Sequence, residues 1–566
     1  MVSVIDRIRG VIPFVSGPGN VITNQCKELE RMYSKRQEMF GNWYRLLNLD
    51  DELAQENMES FVGNDPRTTW NMGNFLLQPK PLVPRVVTVD GTPLLPSQRD
   101  IVPLIEDYFT SVWKAVDGQD TKRGRQSWFW GFIGFLLATG WYALPHLVGP
   151  DGKLFIDYWN PAQVFPEFDD DGLVRLARIR TIGENRARSI ALREGWAAPE
   201  RRGPVIEYQL WIRLEGRVFH GVSFDNKEVK PLQLVNGLIE IPILVGAVGG
   251  IPNIVHKLDS TESDGASILS TNEKIYRNFN KQMSFLQQLL RDTANPRIFQ
   301  RVSGNRKIIA SPEEWYARGA FFQGGPNDSI EVIPMPAIPV ELTSILFQLR
   351  NQAQRGSFSD LAFGNVIQEV SAIILSQAAD SARQLLYPYH TGIQFATSMV
   401  NTGWYNTLLA NPTARPSSWP DIKPGLMDNT RVVTTYNISI PGDLNNRILM
   451  AKQLNPRLEI PVDDVMSMML PEITNVDEAL AKLDAEKARL HPSYQVIQII
   501  NAFDAAAAQS DRTGNTSLSR LYRIASGQLK RQLTGEAAPA DRLGITSSQS
   551  AASGILPDNT RQRLGL

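Results

Sequence analysis

A single cysteine, Cys26, in 566 residues leaves no partner for an intramolecular disulfide and fits a reducing compartment or a particle assembled in the cytosol. Histidine is almost as scarce. His146, His220, His256, His390 and His491 are scattered, and with a lone thiol they give none of the spacings that a metal site needs. They read as structural or surface side chains, and neither a metal nor a cofactor is expected. Charge of one sign is missing too: Lys+Arg 58 against Asp+Glu 59 gives a formal charge of -1. That balance argues against a surface that grips nucleic acid all over. No GxxxxGK[ST] motif occurs, so the chain is not expected to hydrolyse ATP. Gly246-Ala247-Val248-Gly249-Gly250 follows an apolar strand, yet its spacing is wrong for a dinucleotide fingerprint and Pro252 stands where a helix would open. Asp169-Asp170-Asp171 lacks the spaced ligands of a calcium loop and reads as a hairpin turn before Gly172. With no clustered carboxylates, an enzyme is not expected.

Long hydrophobic runs are absent but for one. Trp128 to Val148 carries no formal charge and follows Lys122, Arg123 and Arg125, which matches the length of a bilayer span, about 20 residues, with a basic flank. Gly140, Pro145 and His146 interrupt its second half, so a buried helix to about Thr139 running into a core strand is the favoured reading. A membrane-associated channel using residues 128–148 is the alternative. The segment MVSVIDRIRGVIPFVSG has no apolar core with a small-residue cleavage site, and no export signal is expected.

What is there is a globular composition, 42% hydrophobic and 21% charged, in a chain long enough for several subdomains. Val21 to Asn57 reads as helical, Asp65 to Gln78 is looser, and Pro79, Pro81 and Pro84 mark an extended linker. Arg85 to Thr88 with the Asp90-Gly91 turn predicts a hairpin, and Ile101 to Val116 a helix. From Trp141 to Val245 strands dominate, with turns at Pro150-Asp151-Gly152, Asp170-Asp171-Gly172 and Asp225-Asn226.

The most informative stretch runs from Gly265 to Gly364. Ile268, Ile275, Phe279, Met283, Leu286 and Leu290 form an apolar stripe of helical period that Pro296 stops. PVELTSILFQLRNQAQR is a second helix, with proline in its first turn and Gly356 at its end. Between them lies a turn-rich insert with β-prone runs at Arg306 to Ala310 and Ile330 to Ile333. The polar loop RGSFSDLAFG follows, then a long helical segment to about Pro412 in which Pro388 and Gly392 predict a kink or break. Beyond it come a strand-like RVVTTYNISI, helices at Val476 to Leu490 and Tyr494 to Ala508, and from Thr534 a tail of Ala, Ser, Gly, Pro and Thr expected to be mobile.

This order of elements, together with YWNPAQVFPEFDDDG and IPILVGAVGGIPNIVHKLDSTESDGASIL, resembles the portal proteins of tailed bacteriophages. The resemblance implies an α+β portal architecture assembled as a ring. Its parts are an N-terminal αβ wing (1–260), a first stem helix (261–296), a small αβ clip (297–338), a second stem helix (339–355), a tunnel loop (356–365), a long kinked helix (366–412), a wing return (413–490) and a helical C-terminal crown with a mobile tail (491–566). It implies a dodecameric channel at one capsid vertex of the virion, assembled in the host cytoplasm. Double-stranded DNA would be packaged, retained and ejected through it without base readout. Terminase, a head-tail adaptor, and capsid and scaffolding proteins would be the partners.

Carried onto this sequence, the tunnel-loop candidates are Arg350, Arg355, Ser357, Phe358, Ser359 and Phe363. Arginine there meets phosphates without reading bases, while the phenylalanines pack against neighbouring loops or touch DNA. An ordinary surface loop between helices has the same wording. Arg297, Arg301, Arg306, Lys307 and Arg318, interleaved with Trp315, Tyr316, Phe321 and Phe322, are the clip's candidates for partner contact or for a channel exit. Lys274, Lys281 and Arg291 on the first stem helix read equally as inward-facing charge and as solvated charge.

Overall fold

Ile22, Cys26, Leu29 and Tyr33 recur at three- and four-residue intervals, the period that puts side chains on one helical face. The computed structural model describes residues 20–54, 59–79, 82–120, 124, 126–149, 151–199, 202–251, 264–294, 298–303, 308–315, 322–333, 340–358, 372–436, 438, 480, 483–484, 486–487, 489, 492–512 and 514–534. In it the stripe lies on α1 (Val21–Met32), which Asn20 caps by accepting the Ile22 N–H, and continues after Tyr33 into α2 (Ser34–Asn48). Phe40 and Trp43 extend the stripe, and all six side chains pack on Trp141, Phe165, Ala177, Tyr208, Leu210 and Ile212 of the sheet below. Arg36 is buried in this layer with its guanidinium 4.0 Å from the Tyr33 ring and 4.8 Å from Trp141. It also donates to the Val164 carbonyl at 2.5 Å, and the ring and carbonyl contacts offset its desolvation. Cys26 is buried as well, and burial pushes its thiol pKa upward, so it behaves as a small core hydrophobe.

Residues 65–77, loose in pattern, form a regular helix, α3 (Asp65–Leu77), with proline in its first turn. Gly73 is there for packing: a methyl group in its place would lie 3.2 Å from Ile268 and 3.3 Å from Leu137. β1 (Val83–Thr88) does not fold back at Asp90-Gly91 as a hairpin. It pairs antiparallel with a strand at Thr430–Thr435, in register from Val83↔Thr435 to Thr88↔Thr430. Val86 and Thr88 face inward from one strand and Thr430, Val432 and Thr434 from the other, so the pair has a core side that a local hairpin would leave uncovered.

α4 (Val102–Gln119) precedes the long apolar run, which resolves into two elements. α5 (Trp128–Thr139) ends at Gly140 in the left-handed conformation, and β2 (Trp141–Val148) starts at once. Among the described residues no helix is long and apolar enough to cross a membrane. The run is apolar because both halves are core: Phe132, Ile133, Leu136 and Leu137 are buried on α5, as are Tyr142, Ala143 and Leu144 on β2. A turn in which the Gly152 N–H donates to the Gly149 carbonyl at 2.9 Å joins β2 to β3 (Leu154–Ile156), as expected.

β4 (Val164–Asp169) and β5 (Gly172–Ile182) form the hairpin expected at the aspartate triplet. α6 (Glu184–Glu194), which strand-like patterning did not announce, then intervenes. β6 (Val205–Leu214), β7 (Arg217–Phe224) and β8 (Lys227–Leu234) complete a five-stranded antiparallel meander in the order β4-β5-β6-β7-β8. β9 (Ile243–Ala247) returns to pair with β2, and Gly246 lets the Tyr142 hydroxyl approach where a methyl would lie 2.3 Å away. The glycine-rich segment is therefore a packing feature of the sheet.

Then come α7 (Glu273–Ala294), β10 (Ile298–Arg301), β11 (Ser329–Val332), α8 (Val340–Arg355), α9 (Ala372–Ala410) and β12 (Thr430–Thr435), which is the partner of β1. α9 runs through Pro388 as one continuous helix, and Gly392 admits Val248, whose Cγ1 would be 2.4 Å from an added methyl. Of the kink or break expected there, a break is not formed: Leu386, Ile393, Ala396, Val400, Trp404 and Tyr405 all lie in the main core, which holds the segment as one helix. Asn401 accepts from the Trp113 indole at 2.9 Å and donates to Thr434 at 2.8 Å, tying α4, α9 and β12 together.

The chain divides into two compact units, and every element so far belongs to the first. The second contains the helical pair α10 (Pro492–Arg512) and α11 (Thr516–Thr534). Asp504 on α10 accepts from Ser526 and Lys530 on α11, and Phe503 stacks on Tyr522 at 6.0 Å. Most of the helix expected at 476–490, and the tail beyond 534, lie outside the described residues. Mixed helix and strand content makes the fold α+β.

None of the described histidines joins a metal site: among the described residues there is no group of three or more His, Cys, Asp or Glu that holds one. Burial lowers the pKa of His146 and His390, and burial with the Lys230 ammonium takes His220 down to about 3. In the unfolded chain the same groups titrate near 6.5. Folding therefore favours their neutral forms, a contribution present in full above about pH 6.5 and lost progressively as pH falls toward the folded values. Urea midpoints should drop between pH 7 and pH 5, and His220→Gln should make that drop shallower.

Candidate nucleic-acid interface

α7 and α8, the helices expected to form a stem, are an antiparallel pair. Asn272, buried just before α7, donates to the Ala353 carbonyl at 2.7 Å near the end of α8, so the start of one helix meets the end of the other. Gly356 is required at this junction, because a methyl there would lie 2.3 Å from the Asn272 Oδ1. α7 rises about 33 Å and α8 about 24 Å at the helical pitch. Ile268, assigned from sequence to the helical stripe, lies ahead of α7 and is buried in the main core.

One face of α7 is occupied by its own chain. Arg277 pairs with Glu52 at 3.1 Å and Asn280 accepts the Gly63 N–H at 3.0 Å. Ser284 accepts the Phe61 N–H at 2.8 Å, Gln288 the Glu59 N–H at 2.9 Å, and Arg291 pairs with the Glu59 carboxylate at 2.9 Å. The spacing 277, 280, 284, 288, 291 is a helical stripe of polar side chains that replaces a β-ladder for the extended segment 59–63. Lys281 borders the same face, on a cleft of about 170 Å³ that also contains Asp50, Asp51 and Glu52.

The cations of α7 and α8 thus separate into two sets. Arg291 and Lys281 face the N-terminal segment of their own chain. Lys274, at the start of α7, and Arg350 and Arg355, on the last turns of α8, are exposed and form no ion pair among the described residues. The antiparallel pairing brings Lys274 to the Arg355 end of the stem. Arg350 and Arg355 are about 140° apart around the helix axis, so they address different directions. Arg355 also complements the negative end of the α8 dipole.

Ser357 donates to the Ala353 carbonyl at 2.9 Å and continues the helix end. Phe358 is 1% exposed and packs in the main core. Read from sequence as packing against neighbouring loops or touching DNA, Phe358 is held in the core of its own chain. Ser359 and Phe363 lie outside the described residues, as do Arg297, Arg306, Lys307 and Arg318 of the insert.

Within the insert, β10 and β11 pair from Ile298↔Val332 to Arg301↔Ser329, with Arg301 exposed at one end. The β-prone run ending at Ala310 is not a strand over residues 308–310. The Gln300 side chain holds it instead, accepting from Ile309 N–H at 2.8 Å and donating to the Ala310 carbonyl at 2.7 Å. Asp328 closes the opposite turn by accepting from Ser303 and Gly325 backbone N–H groups, each at 2.6 Å. Trp315 and Phe322 stack at 5.3 Å, so these two aromatics of the insert pack on each other.

Two solved structures similar to this chain are necks of GTA particles. The neck of an empty GTA particle, computed with C6 symmetry, is 12% identical over 72% of this chain and 90% of that one, with a TM-score of 0.39. The neck of a native GTA particle, computed with C12 symmetry, is 11% identical over the same shares with a TM-score of 0.37. No family model and no curated protein matches the chain.

Sequence reasoning missed the polar stripe on α7 because Asn, Ser and Gln at helical spacing look like a solvated face. The signal was present only as their regular three- and four-residue interval opposite the apolar stripe.

Proposed function

We propose that the chain is the portal protein of a tailed bacteriophage, a subunit of a ring through which double-stranded DNA passes at one capsid vertex. The observation that carries this reading is the order of elements in the first unit: an αβ wing, an antiparallel helical pair enclosing a two-stranded insert, and a 39-residue helix that leads back into the wing. Exposed apolar surface on the stem supports it. Phe285 and Phe347 are 59% and 66% exposed, surface that neighbouring subunits of a ring would cover. In this reading the chain is a passive conduit and not an enzyme. A separate ATP-driven terminase supplies the force, and the insert docks terminase and then the head-tail adaptor. Weak, sequence-independent phosphate contacts suit a duplex that must slide, since neutralising many phosphates would arrest it.

Negative-stain electron microscopy of the purified protein tests the reading. End-on rings, twelve-fold in class averages and with a hole wide enough for a duplex, are the expected result. Monomers or dimers at high protein concentration would overturn it. DNA incubated with the ring and magnesium should remain intact.

A further inference from the structure

We propose that the wing sheet carries a binding site for a carboxylate or phosphate group, formed by Arg178, Trp211 and His220 with Lys230 behind them. Leu176, Arg178 and Arg180 alternate onto one face of β5. Across the ladder Leu176 stands opposite Trp211, Arg178 opposite Gln209 and Arg180 opposite Glu207, and Trp211 in turn stands opposite His220. Apolar clusters lie on either side of this row, one containing Leu176 and Val218, the other Ile182, Val222 and Phe224. The row between them is polar and spans three strands.

Within it some groups are satisfied by each other. Glu207 accepts from Arg180 and from Gln209. Three others are not. The Arg178 guanidinium lies 3.8 Å over the Trp159 ring and forms no ion pair among the described residues, and its Nε is buried without a hydrogen-bond partner. The Trp211 Nε1 and the His220 Nε2 are buried and unpartnered in the same way. The Trp211 and His220 rings stack at 4.0 Å. The Lys230 ammonium lies 3.0 Å from the His220 Nδ1 and must donate to it, which leaves the imidazole proton on Nε2.

All three vacant positions are therefore N–H donors, and no side-chain acceptor of the row is among the buried atoms without a partner. Native interiors leave few buried polar groups unmatched, so a set of one polarity points to a missing acceptor. The charge points the same way. Burial and the Arg180 guanidinium draw Arg178 down to about 9, with Glu207 and Asp157 acting in the opposite sense, so it remains a cation at neutral pH. A water molecule donates as well as accepts, whereas an anion accepts only and supplies the counter-charge. Arg178, Trp211, His220 and Lys230 are each partly exposed as residues, so the row lies next to solvent although the three donor atoms themselves are covered.

Isothermal titration of the full chain with malonate and with inorganic phosphate, at constant ionic strength in chloride, tests the site. Saturable binding of one anion per chain is expected, at least tenfold weaker in Arg178→Gln. Trp211→Phe keeps the stack on His220 but removes the indole N–H, and should weaken binding several-fold while leaving the melting temperature in chloride within a few degrees. Preference for phosphate or for malonate identifies the anion. A capped glutamate-containing tripeptide that binds where the free anions do not assigns the carboxylate to a protein partner. Absence of binding by all three probes, or binding that Arg178→Gln leaves unchanged, overturns the proposal and puts water on these donors.

Discussion

Gly140→Ala should destabilise the first unit severely, by several kcal/mol, whereas Gly195→Ala, at a backbone angle that is nearly the same, should cost far less. Both glycines end a helix in the left-handed conformation, with φ of 69° at Gly140 after α5 and 71° at Gly195 after α6. The conformational cost to alanine is therefore similar at the two sites, about 1–2 kcal/mol. The surroundings differ. Nothing lies within 4 Å of a methyl at Gly195, while at Gly140 it would lie 2.3 Å from the Ala266 nitrogen and 2.4 Å from its carbonyl oxygen. Those are backbone atoms, held by the Ala266 N–H to the Val248 carbonyl at 3.0 Å and by the Val248 N–H to the Gly140 carbonyl at 2.8 Å. Displacing them adds overpacking of about 1–3 kcal/mol and breaks the bonds that join α5, β9 and the lead into the stem. Against a typical stability of about 5–15 kcal/mol that is a large fraction. Urea denaturation decides the matter: a small shift for Gly195→Ala with a far larger one for Gly140→Ala. Equal shifts would mean that the Ala266 backbone can yield.

The second large effect follows from the division of the stem cations. If the chain forms the proposed channel, combined Lys274→Glu, Arg350→Glu and Arg355→Glu should leave the ring intact and reduce affinity for duplex DNA at low salt at least tenfold. The dependence of log affinity on log salt should become shallower by about 0.9 for each phosphate contact removed. These three side chains are exposed and form no ion pair among the described residues, so reversing them leaves no buried charge behind. Arg291→Glu is the contrasting change. It breaks an exposed pair with Glu59, a contact worth about 0–1 kcal/mol, and should loosen the 59–63 segment without changing the salt slope. Equal slopes for the triple variant and the wild type would move the DNA-facing charge elsewhere on the chain.

Much of this could be seen in advance at the level of elements. Period alone identified α1, α4, α7 and α8, and Gly140 with Pro145 was enough to divide the apolar run into a core helix and a core strand. The failures share one cause. β1 was assigned a local partner at Asp90-Gly91, yet its partner lies at 430–435, because strand pairing depends on which faces a distant helix covers. Of the kink or break expected at Pro388, the break is absent, and the main core holds α9 as one helix. Phe358, placed with the DNA-facing candidates by its position after the stem, turns inward because an apolar ring next to a core is more stable buried than wet.

What the amino-acid sequence determined by itself was periodicity, turn chemistry and the order of elements, since these depend on neighbours within a few residues. Only the tertiary structure decided which polar side chains are already engaged. Arg277, Asn280, Ser284, Gln288 and Arg291 read as a solvated face until Glu52 and residues 59–63 are laid along them. Arg178, Trp211 and His220 read as ordinary strand residues until the register puts their vacant donors in one row. Hydrogen-bond satisfaction is a property of groups brought together from far apart in the chain, and local pattern carries no record of it.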